Sequence, residues 1–311
     1  MQTQRLGSSG PEISVIGYGS WEAGGGIWGE NPPEDRLIEA IQAGLDAGIN
    51  WIDTAEIYGK GKSESIVGRA AAGRDDVMIF TKVAPRGAGT GFEPDRVRAA
   101  AEASLKRLGR DVIDLFQLHW PADSVEIEDT WEAMAGLKAD GIARYIGVSN
   151  FDRALIERCE KIEHVDSLQP QFSMLHRDGI DDLFPFCRAN GTGIICYGPL
   201  AYGLLTGAID RDTEFEEDDW RGGGTGIGYY RELFAPGVIE KNLDIVEALR
   251  PIADRLGATL AQLALAWVVH QDGITGAIAG SRSLKHVVQN AEAGDLRLEA
   301  KDLDEIESLL N

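Results

Sequence analysis

Four residues in this chain have side chains able to move or steer a proton, and each stands at or just beyond the end of an apolar run. Asp53 closes the run 49–53, and Tyr58 follows in Gly-containing sequence. Lys82 closes 77–82, and His119 closes 112–119. A carboxylate buried at a strand end needs a partner. A phenol with the ordinary pKa of about 10 transfers a proton poorly at neutral pH. An ammonium beside it favours the phenolate and lowers that value. A carboxylate beside the ammonium keeps it charged, and an imidazole can hydrogen-bond a substrate carbonyl. Together Tyr, Lys, Asp and His make a general acid for carbonyl reduction. No side chain donates a hydride, so this chemistry requires a nicotinamide cofactor.

Each residue alone has a plainer reading. A strand-end Asp is more often a helix cap or salt-bridge partner, and a strand-end Lys is usually solvated. A lone His is more often a hydrogen-bonded core residue, and Tyr58 can simply pack. The coincidence on consecutive strands is what favours function.

Those strand ends must be brought together by a scaffold. Residues 5–15 read as a β-hairpin around Ser-Gly-Pro, and 16–21 as a strand ending in small residues. Leu37, Ile38, Ile41 and Leu45 then recur at helical spacing over 34–47, closed by Gly48. Strands are expected at 49–53, 77–82, 112–119, 143–148, 165–169, 192–197 and 274–279. Helices are expected at 63–72, 94–108, 124–139, 152–161, 180–189, 239–256, 259–270, 283–293 and 300–310. With 16–21 this makes eight strands after the hairpin. Strand–helix alternation implies a parallel sheet. Eight such units fit a closed (β/α)8 barrel, read as one domain over 1–311, better than an open sheet. Active sites of such barrels lie at the C-terminal strand ends. Asp53, Lys82 and His119 fall there, on neighbouring strands two, three and four, with Tyr58 in the loop after strand two. The segment 207–236 interrupts the rhythm with an acidic run and Gly222-Gly223-Gly224. A loop this long is functional or disordered, and both readings stand.

Composition narrows the partners. The net charge of −21 over 311 residues disfavours nucleic acid and anionic membrane. It also makes each placed cation informative if a phosphorylated cofactor binds. No apolar run reaches the length of a membrane span, and 1–5 has no signal-peptide core behind it. Cys159, Cys187 and Cys196 form no CxxC pair and read as small core residues, which fits a reducing cytoplasm. Five histidines with no HxH pair argue against a metal-dependent hydrolase, and no metal site is expected. Gly24-Gly25-Gly26 and Gly222-Gly223-Gly224 lack the spacing of a dinucleotide-binding GxGxxG.

Asp53-Thr54-Ala55-Glu56-Ile57-Tyr58-Gly59, with Ser63-Glu64 and Gly68 after it, resembles the first signature of the aldo-keto reductases. The spacing is similar to the bacterial, potassium-channel β-subunit-like branch. Thr81-Lys82, Leu118-His119-Trp120-Pro121 and Gly147-Val148-Ser149-Asn150-Phe151 match at the expected strand ends. The resemblance covers nearly the whole chain. It implies a (β/α)8 barrel whose bottom is plugged by the hairpin, with extra C-terminal helices. It implies reversible reduction of an aldehyde or ketone, with hydride from NADPH, or alternatively NADH, and a proton from Tyr58. Lys82 and Asp53 would tune Tyr58, and His119 would orient the substrate.

The same resemblance implies that Ser149, Asn150 and Gln171 hold the nicotinamide carboxamide and that Tyr197 stacks on its ring. Gly198, Leu200 and Gly203 belong to the loop over the pyrophosphate. Gly280, Ser281 and Arg282 would grip the adenosine 2′-phosphate, with Asn290 nearby. His286 stands where the family commonly has Gln or Arg, and Gln289 where it commonly has Glu, which loosens the expectation of NADPH over NADH. Trp21, Trp28 and Trp120, with Tyr18 and Trp220, are candidates for an apolar substrate pocket. The competing reading is a non-catalytic nicotinamide-binding subunit that senses redox state. Which carbonyl is reduced and the oligomeric state are not written in these residues.

Overall fold

The chain opens with an antiparallel hairpin, β1 (Thr3–Arg5) and β2 (Glu12–Ser14). Eight further strands follow: β3 (Ile16–Gly19), β4 (Trp51–Asp53), β5 (Met78–Val83), β6 (Ile113–Leu118), β7 (Ala143–Ser149), β8 (Ser167–Gln169), β9 (Gly193–Cys196) and β10 (Ile274–Gly280). In this computed structural model they close into a parallel barrel in the order β10-β3-β4-β5-β6-β7-β8-β9. Around it run α1 (Glu34–Asp46), α2 (Lys62–Ala70), α3 (Pro94–Leu108), α4 (Ile127–Ala139), α5 (Arg153–Cys159) and α6 (Leu183–Asn190). They are followed by α7 (Ile239–Arg255), α8 (Leu260–Val269), α9 (Leu284–Glu292) and α10 (Ala300–Leu310). The structure describes residues 1–26, 28, 32–85, 91–216, 219–222 and 228–310.

Strand pleating sorts the core into two populations. Ile52, Ile79, Phe116, Ile194 and Ala277 face outward and pack in the main cluster with the helices. Their neighbours Trp51, Phe80, Leu115, Ile195 and Ile278 turn inward, and Leu6 and Ile13 of the hairpin join them. Side chains alternate faces along a strand. The inward residue two positions above each of these apolar ones therefore reaches the mouth: Asp53 above Trp51, Lys82 above Phe80, Tyr197 above Ile195. Pleat parity lifts the chemical residues to the C-terminal end.

The hairpin closes the opposite end. Trp51 Nε1 donates to Ser14 O at 2.8 Å, and Ser9 Oγ donates to Asp166 Oδ1 at 2.9 Å. Gly7 has φ +62°, and a Cβ there would lie 2.4 Å from Gly191 O, so only glycine fits this approach.

The helix boundaries correct two expectations. The helix expected from 124 begins at Ile127, where the buried positions Ile127, Thr130, Trp131, Met134 and Leu137 start. The one expected from 180 begins at Leu183, because Asp181 and Asp182 bury nothing in a first turn. Asp152 caps α5, its Oδ1 accepting from Leu155 N at 2.8 Å. The segment 207–236 holds short 3-10 turns at Trp220–Gly222 and Gly228–Phe234, and Trp220 is buried. Its described part lies on the barrel mouth, and Trp28 pairs with Asp219 in an antiparallel bridge. Gly223 and Gly224 of the glycine run lie outside the described residues.

Candidate active site

Asp53, on the last residue of β4, and Lys82, near the end of β5, are both buried. Lys82 Nζ donates to Asp53 Oδ1 at 2.6 Å, to Thr54 O at 2.9 Å and to Tyr58 Oη at 3.5 Å. An ammonium has three donors, and these three acceptors use all of them. The Tyr58 oxygen receives a lysine N–H, so its own proton is free to point into the cleft. The other Asp53 oxygen accepts from Gln169 Nε2 at 2.8 Å. Burial pushes the Asp53 carboxyl up and the Lys82 ammonium down, and each is opposed by the other's charge. Close contact and the added hydrogen bonds are what let a buried ion pair persist.

Burial also corrects one expectation. Lys82 was expected to lower the Tyr58 pKa. Desolvation instead pushes Tyr58 well above the ordinary tyrosine value, with Asp53 and Tyr230 adding to the rise. The hydroxyl keeps its proton at neutral pH, the state a proton donor requires. His119 lies across from it, ring centroids 5.6 Å apart at 73°. Burial, with Lys82 nearby, pushes the imidazole well below its usual value, so it is neutral. Its Nδ1 is buried without a partner among the described residues.

Trp21 follows β3 in a 3-10 turn, Trp21–Gly24, that lies against the Tyr58 turn. A Cβ on Gly24 would come within 2.7 Å of Gly59 N, so glycine permits this approach. Trp21 and Tyr58 have ring centroids 6.2 Å apart, and Trp120 lies 4.7 Å from His119. These two tryptophans flank the tyrosine–histidine pair. Trp28 sits behind, edge-on to Trp21 at 5.0 Å and to the core residue Trp220 at 5.8 Å. Tyr18 is buried, and its hydroxyl donates to Ser281 O at 2.8 Å.

A second group lines the mouth beyond β7, β8 and β9. Ser149 Oγ donates to Gln169 O at 2.9 Å, and Asn150 Nδ2 donates to His119 O at 3.4 Å. Asn150 has φ +58°, a left-handed conformation that Asn tolerates better than most residues. Tyr197 Oη donates to Asn150 Oδ1 at 2.9 Å, and Tyr230 Oη donates to Tyr197 Oη at 3.2 Å. The buried Oε1 of Gln171 has no partner among the described residues. It is the kind of acceptor that a primary amide satisfies, so these residues fit a nicotinamide carboxamide. The turn after β9 has positive φ at Gly198, Ala201, Tyr202 and Gly203, with Leu200 preceding the last three. Within it the N–H groups of Ala201 and Gly203 donate back to Gly198 O at 2.9 Å and Leu200 O at 3.0 Å, which closes the turn. Arg221 reaches the same turn, donating to Tyr202 O at 3.2 Å while paired with Asp219.

Beyond the end of β10 a cavity of about 580 Å³ is lined by Glu22, Ser281, Arg282, Ser283 and His286, among others. Arg282 Nε stands 3.7 Å from Glu22 Oε2. Gln289 and Asn290 follow on α9; Asn290 is buried, and Gln289 O accepts from Gln262 Nε2 at 3.2 Å.

Sequence reasoning did not single out Gln169, Glu22, Arg221 or Tyr230. Gln169 had a readable signal, since Ser167, Gln169 and Gln171 alternate as polar residues from the strand into the residues beyond it. Glu22 stands directly after Trp21, the last residue of the strand expected over 16–21. Arg221 and Tyr230 come from the long interruption, where no period points anywhere.

A sequence model of the Aldo/keto reductase family matches residues 15–311. The NADH-specific methylglyoxal reductase of Escherichia coli (strain K12) is 32% identical over 96% of this chain and 94% of its own length. Among solved structures, the glycerol dehydrogenase AKR11B4 from Gluconobacter oxydans superposes with a TM-score of 0.88 at 31% identity, covering 99% of this chain and 94% of that one. An aldo/keto reductase from Klebsiella pneumoniae, solved with NADP and acetate, gives 0.76 at 30% identity over 99% of this chain and 95% of that one. With the closed eight-stranded barrel and the polar cluster at its mouth, these matches establish that the chain belongs to the aldo/keto reductase family.

Proposed function

We propose that Tyr58 is the proton donor in the NAD(P)H-dependent reduction of an aldehyde or ketone to an alcohol, the reaction of this family. The observation that carries the assignment is the distribution of the three Lys82 donors over Asp53, Thr54 O and Tyr58 Oη. When bound, the reduced nicotinamide supplies the hydride to the carbonyl carbon. As negative charge builds on the carbonyl oxygen, Tyr58 gives it the phenolic proton. The phenolate left behind keeps the Lys82 N–H as its hydrogen-bond donor, and Asp53 holds Lys82 charged and in place. His119, neutral, directs an N–H at the carbonyl oxygen and fixes its approach. In the oxidative direction the same groups run in reverse, and Tyr58 must first be deprotonated.

Ser149, Asn150 and Gln171 are assigned to the carboxamide of NADPH or NADH, and Tyr197 to the ring face. Gly198, Leu200 and Gly203 are assigned to the pyrophosphate. Gly280, Ser281, Arg282, His286, Gln289 and Asn290 are assigned to the adenosine end. Trp21 and Trp120 favour a small carbonyl compound with an apolar or aromatic body, and Trp28 fixes the angle of Trp21. We read 1–311 as one domain. Among the described residues no single helix is long and apolar enough to cross a membrane. Burial pushes the Cys159 and Cys187 thiols up to about 12, so they are inert, which is compatible with a cytoplasmic enzyme.

The test is Tyr58→Phe, assayed by oxidation of NADPH and NADH with simple aldehydes and by cofactor binding. Lost turnover with retained binding supports the assignment, and retained turnover sinks it. The competing non-catalytic, redox-sensing role would give no turnover in the unaltered chain either.

A further inference from the structure

Among the described residues Glu22 is the one acid lining the cavity at the end of β10, and the mechanism above has no use for it. It sits on the turn after Trp21, half-buried, with Oε2 3.7 Å from Arg282 Nε. Oε1 lies 3.6 Å from the point where a side chain on Gly280 would begin, so the carboxylate crosses the foot of the Gly280-Ser281-Arg282 segment. Arg221, the other arginine whose charge acts on Glu22, is already engaged bidentately by Asp219, at 2.9 and 2.6 Å. Among the described residues the remaining polar lining is two serines and a histidine. This is a poor home for a dianionic group, because Arg282 faces an anion before any ligand arrives.

A phosphate on the adenosine ribose carries about 1.5 to 2 negative charges. Its placement here sets it against the Glu22 carboxylate. A free ribose 2′-hydroxyl brings no charge and can donate a hydrogen bond to a carboxylate. Dinucleotide sites of an unrelated fold use the same chemistry, an acid for the hydroxyl and an arginine for the phosphate. Relatives of similar identity include one named NADH-specific and one solved with NADP, so family membership leaves the preference to individual residues.

We propose that Glu22 is a specificity-determining residue that turns this cavity against the 2′-phosphate and toward the 2′-hydroxyl, so that the enzyme takes NADH in preference to NADPH. The inference rests on the assignment of this cavity to the adenosine end of the cofactor. Both substrates of discrimination meet the same Arg282; the Glu22 carboxylate separates them by repelling one and accepting from the other.

The test is binding, independent of turnover. Calorimetry on the full-length purified chain compares adenosine 5′-monophosphate with adenosine 2′,5′-bisphosphate, which differ only in the 2′-phosphate, and NADH with NADPH. Glu22→Gln keeps the shape and removes the charge, and Glu22→Ala removes both charge and acceptor. Either should raise the affinity for the 2′-phosphorylated member of each pair about tenfold or more relative to the other. An equal change in both members, or none, overturns the proposal. Arg282→Ala separates the two levels. If it weakens the adenosine nucleotides while the Glu22 variants shift no ratio, the specificity role alone fails. If it leaves all four ligands unaffected, the cavity is not the adenosine site, and both readings fall.

Discussion

Around the ends of β4, β5 and β6, strands hold Asp53 and Lys82, the residue directly beyond a strand is His119, and Tyr58 rides the 3-10 turn Tyr58–Gly61. Around the ends of β9 and β10 the polar side chains are held by turns. Asp53 and Lys82 belong to strands that are hydrogen-bonded neighbours in the barrel. All their hydrogen-bond partners come from strand ends or the adjoining loop: Thr54 O, Tyr58 and Gln169. On the other side, Glu22 rides a 3-10 turn, Arg221 and Tyr230 come from the interrupted segment, and the backbone between Gly198 and Gly203 takes positive φ four times. The contrast separates two tasks. Proton transfer tolerates little displacement, and the Asp53 and Lys82 that fix the Tyr58 hydroxyl sit on rigid strands although Tyr58 itself rides a 3-10 turn. Recognition of the far end of a cofactor tolerates exchange of residues, so it is left to loops.

The sharpest way to break this division is Tyr58→Phe. It should lower kcat for reduction roughly 1000-fold or more, with dissociation constants for both cofactors within about twofold of the unaltered enzyme. A comparable loss of cofactor binding would mean that the strand-held side also recognises the cofactor.

The pH profile follows from the raised Tyr58 value. Tyr58 stays protonated below that value, so reduction should show no loss from this group between about pH 6 and pH 9. Alcohol oxidation needs the phenolate and should rise with pH, by up to about tenfold per unit if deprotonation limits it. A decline in reduction across that window, surviving in Tyr58→Phe, would assign the titration elsewhere.

Lys82→Met strands a buried carboxylate. It should cost about 3 to 5 kcal/mol of stability in a urea titration. Asp53→Asn added to it should restore much of that stability and none of the activity. Recovery of activity in the double variant would reduce the pair to scaffolding.

Gln169→Leu removes the hydrogen bond to the second Asp53 oxygen, and about a tenfold fall in kcat with KM nearly unchanged is expected. On the turn-held side, Arg282→Ala should weaken NADPH severalfold more than NADH and leave kcat at saturation close to normal. A fall in saturated kcat equal to that of Gln169→Leu would erase the distinction between the two sides.

The strand-held side was legible because burial leaves a simple trace. An apolar run that stops at Asp53, Lys82 or His119 marks both a strand and its end, and alternation with helices places those ends at one mouth. Gln169 obeys the same period, two positions before Gln171. The ring of loops left no such trace. Trp28 and Trp220 have the composition of a pocket wall, yet Trp220 lies in the core and Trp28 stands behind Trp21. Segment 207–236 was as readily an acidic surface loop as a wall of the mouth, since its side chains pack through contacts distant in sequence.

By itself the sequence determined the barrel, the strand ends and the identity of the proton-handling set, because pleat periodicity and helix closure are local properties. Tertiary structure decided three other matters. It raised Tyr58 where a neighbouring lysine alone would lower it, because desolvation depends on everything packed around the ring. It completed the Asp53–Lys82 pair with Gln169, a contact spanning 116 positions of chain. And it set Glu22 against Arg282, two residues on opposite ends of the sequence that only barrel closure between β3 and β10 makes neighbours.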